Sequence, residues 1–192
     1  MRVVLASASP RRLQVLVDAG LDVEVAPTGA DEPRKMGSVE DQVLGIAMAK
    51  AEAVGEAHPG SIVVVADTML ADPDEPSLAL GKPEDEAGAL AMLLRLRGRN
   101  HRVWSAAGLR VGGQWGFETA SSVVNLAAYD DATLEELLKS GSWIGKAGGY
   151  DLHGPMGAHA TLIEGDPRTV LGLPAATVDG LLALKSTGWQ GE

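Results

Sequence analysis

Cysteine is absent from this chain of 192 residues. That excludes disulfides, thiolate metal sites and a cysteine nucleophile, and it agrees with a cytoplasmic location. Aromatic residues make up only 4% against 45% hydrophobic residues, so a core has to be assembled from Leu, Val, Ala and Ile. No uninterrupted apolar run approaches the ~20 residues of a membrane-spanning helix. The short apolar run at the N-terminus meets Ser, Pro and Arg too soon for a signal peptide. Basic residues are outnumbered by 26 acidic residues to 16, which leaves a net charge of −10. Such a chain repels nucleic acid and anionic membranes unless its cations gather locally. They are scattered, apart from one knot between Arg95 and Arg102. There is no G-x-S-x-G elbow, no G-x-G-x-x-G fingerprint and no His/Cys cage, since His153 and His159 lack a third ligand at zinc-type spacing. A small polyanion held in a local basic pocket remains compatible with all of this.

The length fits one domain over residues 1–192. Early in the chain, strand-like and helix-like segments alternate. Val3, Val4 and Leu5 read as a buried strand, and "LDVEVAP" as a second. Ser38 with Asp41 reads as a capping box that opens a long Ala-rich helix to about Ala57. "SIVVVAD" is a short β-branched run that reads as a buried strand closed by Asp67. Pro83 is expected to open the helix "EDEAGALAMLLRLRG". "HRVWSAAGLRVGGQWGFETASSVVNLAAY" reads as strands joined by a Gly-Gly turn. A capped helix, a glycine-rich loop, the strand "AHATLIEG" and a closing helix from "GLPAATVDGLLALKSTG" follow. The class is α/β, with a mixed twisted sheet and flanking helices.

"LASASPRRLQ" carries the first chemical signal. Ser9 suits an N-cap and Pro10 the first helical position, so Arg11 and Arg12 sit at the positive end of the helix dipole. Two solvated arginines can bear that small cost. Alternatively an anion is the partner, and the free N–H groups, the hydroxyls of Ser7 and Ser9 and two guanidinium groups converge on it. Other residues read two ways as well. Asp67 followed by Thr68 suits cation binding or proton transfer from water at a strand end, or merely starts a turn. Lys82 in "LGKP" is either aimed by its rigid bend at a phosphate or solvated. Asp31 and Glu32 side by side in a loop read as solvated acids, and Lys50 as a surface residue of its helix. "IGKAGGYDLHG" is either a flexible loop or a backbone approach to a ligand, with Lys146, Tyr150 and His153 as its polar groups. The carboxylates suit Mg²⁺ or Mn²⁺ held jointly with a phosphate.

Taken in order, "SASPRR", "DE", "AKAEAV", "ADT", "LGKP", "GRNHRV", "KAGGYDLHG" and "EGDPRTVLGLP" resemble the Maf family of nucleoside triphosphate pyrophosphatases, from Leu5 to Pro174. The resemblance implies a fold related to the inosine-triphosphate pyrophosphatases, with a cleft between two lobes and, as in many members, a homodimer. It implies hydrolysis of a nucleoside triphosphate to the monophosphate and pyrophosphate with a divalent metal. Asp67 matches the family's proton acceptor, and Arg12, Glu32, Lys50 and Lys82 its charged positions. Glu32 with Asp67 would hold the metal. Arg11, Thr68 and His153 fall where members differ in base preference. Members that favour dTTP and UTP have Arg, Thr and Gln there, whereas this chain has "LHG" for "IQG". The alternatives are the same chemistry on another base, or a nucleotide-binding regulator of cell division without turnover.

Overall fold

A computed structural model describes residues 1–29 and 36–189. Its centre is a sheet of seven strands, β1 (Val3–Leu5), β2 (Val23–Val25), β3 (Ile62–Ala71), β4 (Ala79–Leu80), β5 (Asn100–Val111), β6 (Gln114–Leu126) and β7 (Ala160–Glu164). The spatial order is β2-β1-β3-β5-β6-β7, with β4 paired to β3. β1 runs parallel to β2 and β3, and every other pairing is antiparallel. The mixed α/β sheet expected from the sequence is therefore the one observed.

Among the described residues six α-helices flank it: α1 (Pro10–Asp18), α2 (Val39–Val54), α3 (Glu86–Leu96), α4 (Asp131–Lys139), α5 (Pro167–Leu171) and α6 (Ala175–Ser186). The local signals mostly worked. Ser9 caps α1 with Pro10 as its first residue, and Ser38 and Asp41 form the reciprocal capping box of α2. Gly112 and Gly113 take positive φ and join β5 to β6 at the pair Val111 and Gln114. Two readings need correction. α3 starts at Glu86 rather than beside Pro83, because Asp85 Oδ1 accepts the Gly88 N–H at 2.7 Å and sets the cap there. β3 does not close at Asp67 but continues to Ala71, paired residue by residue with β5 through Leu70.

Strand alternation sends β3 to two different cores. Ile62, Val64 and Ala66 pack with Val15 and Leu16 of α1, and with Val178 and Leu181 of α6. Val63 and Val65 pack on the other face with Ala51 and Val54 of α2. A third cluster joins Leu93 and Leu96 of α3 to Leu134, Leu137 and Leu138 of α4 over Val103 and Val124. Burial on both faces explains why β3 reads as a continuous apolar run.

Tyr150 of the third cluster meets a buried histidine. His101 Nε2 and the Tyr150 hydroxyl lie 2.6 Å apart, and both residues are buried. Burial lowers the His101 pKa to about 4 and raises that of Tyr150. The neutral imidazole thus stabilises the fold fully above its unfolded value near 6.5. As pH falls from there toward 4, the unfolded chain binds a proton that the folded chain refuses, and about 3 kcal/mol is lost. Urea midpoints of wild type should therefore fall more steeply over this window than those of His101→Gln. Equal slopes would place the proton-linked loss elsewhere.

Candidate active site

β1 stops at Leu5, opposite Val64 of β3, while β3 runs on for seven more residues to Ala71. The chain leaves β1 through Ser7–Ser9 into α1, so a crevice opens beside the uncovered part of β3. A cavity of about 530 Å³ occupies it. Ser7, Ser9, Arg11 and Arg12 line one side, Lys50, Asp67 and Thr68 the floor, and Lys82 and Lys146 the other side. Eight of the ten site residues expected from the sequence and the resemblance thus meet here, together with Lys146 of the glycine-rich segment. Two remain. Glu32, with its neighbour Asp31, lies outside the described residues. His153 is exposed and lines a neighbouring pocket of about 200 Å³, which shares Pro10 and Arg11 with the cavity.

Alternation along β3 decides the partners of Asp67 and Thr68. Asp67 follows Val63 and Val65 onto the α2 face. There Lys50 occupies the stripe of Val43, Ile46, Ala47, Lys50, Ala51 and Val54, the buried face of α2. Lys50 Nζ meets Asp67 Oδ1 at 2.8 Å, and the pair is buried, at 9% and 5% exposure. Lys50 is therefore not a surface residue. A lysine standing in a helix's apolar stripe was the signal available in the sequence. Within the low-dielectric floor the ammonium compensates the carboxylate and fixes its direction.

Thr68 falls on the opposite face, toward α1. Arg12 reaches it there, with Nη2 donating to Thr68 Oγ1 at 3.0 Å. Arg12 Nη1 donates to Ser7 Oγ and Nε to the Gly172 carbonyl, both at 3.0 Å. A guanidinium has donors only, and these acceptors come from three separate parts of the chain. Arg11 turns elsewhere and donates to the Tyr150 carbonyl at 3.4 Å. Burial pulls its pKa down, opposed by the charge of Asp151.

The glycine-rich segment is an ordered wall rather than a loose loop. Its 3₁₀ turn Ala147–Gly149 is buried, and the Gly148 N–H donates to the Gly81 carbonyl at 2.9 Å, beside Lys82. Lys146 pairs with Asp151 at 2.6 Å. Burial opposes the Asp151 charge, but Lys146, the Gly154 N–H and Arg11 together hold its carboxyl below its ordinary value.

The cavity is thus ringed by Arg11, Arg12, Lys50, Lys82 and Lys146, with Asp67 the one carboxylate among its described lining residues. A site of this composition suits an elongated polyanion. No three His, Asp or Glu side chains gather into a metal cage among the described residues. One hard carboxylate beside an anion's oxygens is nevertheless a donor set that Mg²⁺ accepts, because this ion is commonly shared between protein carboxylates and substrate phosphates.

A family model for Maf-like proteins matches residues 2–184, and the chain belongs to that family. It is 35% identical to a "dTTP/UTP pyrophosphatase" of Ruegeria sp. (strain TM1040), over 95% of this chain and 93% of that one. It is 38% identical to one of Bordetella parapertussis, over 94% and 91%, and 36% identical to one of Caulobacter vibrioides, over 94% and 93%. Among solved structures, the Staphylococcus aureus Ham1 protein superposes with a TM-score of 0.49 at 15% identity, covering 98% of this chain and 99% of that one. No described helix is long and apolar enough to cross a membrane.

Gly172 ends α5 with φ +112°, and a Cβ there would lie 2.9 Å from Arg12 Nε and 3.2 Å from Thr68 Oγ1. Gly172→Ala should therefore cost about 1–3 kcal/mol in urea unfolding, from backbone strain and displacement of the guanidinium. A midpoint equal to wild type would show that neither is confined.

Proposed function

We propose that the chain is a nucleoside triphosphate pyrophosphatase that prefers dTTP and UTP and splits them into the monophosphate and pyrophosphate. The observation that carries this reading is the ring of cations around the buried Asp67–Lys50 pair, in a chain of net charge −10. A pure anion receptor has no use for a carboxylate on its floor. An enzyme that must direct a water at a phosphorus atom does. The names and identities of the relatives support the same reaction and the same bases.

In this mechanism the triphosphate lies in the cavity. A water oxygen attacks the α-phosphorus, and the bond from that phosphorus to the oxygen bridging toward the β-phosphorus breaks. Pyrophosphate departs with the bridging oxygen. Asp67 orients the water and accepts its proton, which then passes to solvent. Lys50 holds Asp67 through Oδ1, so the carboxylate meets the water in one direction. Arg12, held by Ser7, Thr68 and Gly172, offers a fixed guanidinium to the phosphates. Ser7 and Ser9 line the same end of the cavity as phosphate-binding hydroxyls. Lys82 supplies a positive charge for the departing pyrophosphate. Asp67 and Glu32 would hold a divalent ion, Mg²⁺ or Mn²⁺. When bound, it would neutralise charge on the phosphate oxygens.

The base is assigned to the side of Arg11 and His153. These two residues share the smaller pocket, whose remaining polar lining is Gln14, Asp18 and Asp151. Thr68, whose hydroxyl engages Arg12, would influence base preference through that guanidinium. A histidine ring offers its donor and acceptor on opposite sides, where a glutamine amide offers both at one end. Discrimination between bases should therefore be weaker than with glutamine. The enzyme is proposed to act in the cytoplasm, with homodimer formation as in the resemblance, and without nucleic acid or membrane partners.

Two experiments test this. With Mg²⁺ present, release of pyrophosphate from dTTP should fall at least about 10²-fold in kcat for Asp67→Asn, the low end for loss of a general base. Near-normal turnover in the folded variant would remove Asp67 from the reaction. In a panel of dTTP, UTP, CTP and GTP, kcat/KM should rank dTTP and UTP first. His153→Gln should widen their lead over GTP by roughly tenfold, the scale of one well-made polar contact. A purine favoured by both forms would refute the pyrimidine assignment.

A further inference from the structure

Ser105 is completely buried in the middle of β5, far along the chain from the charged residues that line the cavity. It pairs across the ladder with Thr68, so the two side chains share one face of the sheet. Their hydroxyl oxygens lie 2.9 Å apart, and Ser105 Oγ donates to the Thr169 carbonyl at 2.7 Å.

The proton count fixes the direction of this chain of bonds. Arg12 only donates, so Thr68 Oγ1 accepts from Nη2. The Thr169 carbonyl only accepts, so the single Ser105 proton is spent on it. The bond between the two hydroxyls must then be donated by Thr68. The order is Arg12 Nη2–H to Thr68 Oγ1–H to Ser105 Oγ–H to the Thr169 carbonyl. Each hydroxyl that donates onward becomes a better acceptor for the group before it. The relay ends in α5, whose C-terminal Gly172 also accepts from Arg12 Nε. Both edges of the guanidinium are thereby referred to one short segment, Pro167–Gly172.

We propose that Ser105 is a positioning residue for the polyphosphate clamp: through Thr68 it holds the Arg12 guanidinium in its binding orientation. It touches no substrate itself. Without the Ser105 oxygen, the Thr68 proton loses its acceptor and the Thr68 hydroxyl is free to turn away from Arg12. The proposal rests on the reading of the cavity as a polyphosphate site, but it does not require turnover.

The probe is inorganic tripolyphosphate in the presence of Mg²⁺, titrated calorimetrically into the full-length protein. Affinity should fall about five- to thirtyfold for Ser105→Ala and return to within about threefold of wild type for Ser105→Thr, which keeps the hydroxyl. The decisive comparison uses Arg12→Lys, which keeps the charge but lacks the second nitrogen donor. In that background Ser105→Ala should cost less than about twofold, because the relay has lost its first member. A purely structural serine would cost the same in both backgrounds, and that result overturns the proposal. So does an unchanged affinity in Ser105→Ala, or a wild type that fails to bind tripolyphosphate. Should Ser105→Ala not fold, Ser105→Cys replaces it in both backgrounds, with the same expected contrast. Tripolyphosphate binding with this coupling, in a protein that hydrolyses no nucleotide, would retain the relay and refute the enzymatic reading alone.

Discussion

Arg12 is a buried cation at the start of a helix, where the dipole is already positive. Neither the dipole nor burial favours it, so its place depends on acceptors brought to it from elsewhere. Ser7 comes from the turn after β1, Thr68 from β3 and Gly172 from the end of α5. Each demands something of the fold. The turn after β1 must leave the sheet early, which opens the crevice. β3 must extend past it, which puts Thr68 within reach. α5 must end on a residue without a side chain, or the carbonyl cannot approach the guanidinium. The architecture around the cavity is in this sense arranged about one side chain.

Asp67 and Thr68 divide the work because a strand turns successive side chains to opposite faces. Asp67 looks toward α2 and finds Lys50, and Thr68 looks toward α1 and finds Arg12. Adjacent residues thereby tie the site to two helices on opposite sides of the sheet. Both remain at the cavity because β1 no longer covers that edge of β3. The net negative charge of the chain repels anions at long range, but salt screens that repulsion beyond about 8–10 Å. At the cavity the local ring of cations dominates.

What the sequence disclosed was mostly local. The caps of α1 and α2 are set by residues within three positions of each other, and both were legible. The start of α3 was not, since Pro83 and Asp85 both qualify and only the bond to Gly88 decides. The length of β3 was hidden because Asp67 and Thr68 interrupt its apolar pattern, and their cost is met by partners distant in sequence. The site residues that the resemblance implied line one cavity, apart from Glu32, which lies outside the described residues, and His153, which stands in the adjoining pocket. The resemblance had placed Lys50 among the charged positions, but its burial follows from its place in the apolar stripe of α2, which the residue alone does not reveal. Ser105 was invisible for a different reason. A serine in a strand carries no signal until the register sets it opposite Thr68.

The neighbouring arginines of "SPRR" resolve into two roles by geometry alone. Consecutive residues on an α-helix point roughly 100° apart. Arg12 is thus directed down onto the sheet, into bonds that leave it little freedom. Arg11 is directed across to the backbone of Tyr150, under the charge of Asp151, at the boundary of the two pockets. Exchanging either for lysine would keep the charge and lose the planar set of donors that reaches several acceptors at once. The pair therefore does more than double the positive charge at a helix start. In the proposed reading Arg12 would fix a position for anionic oxygen within the fold, and Arg11 would join that position to the segment bearing His153, where the proposed choice of base is made.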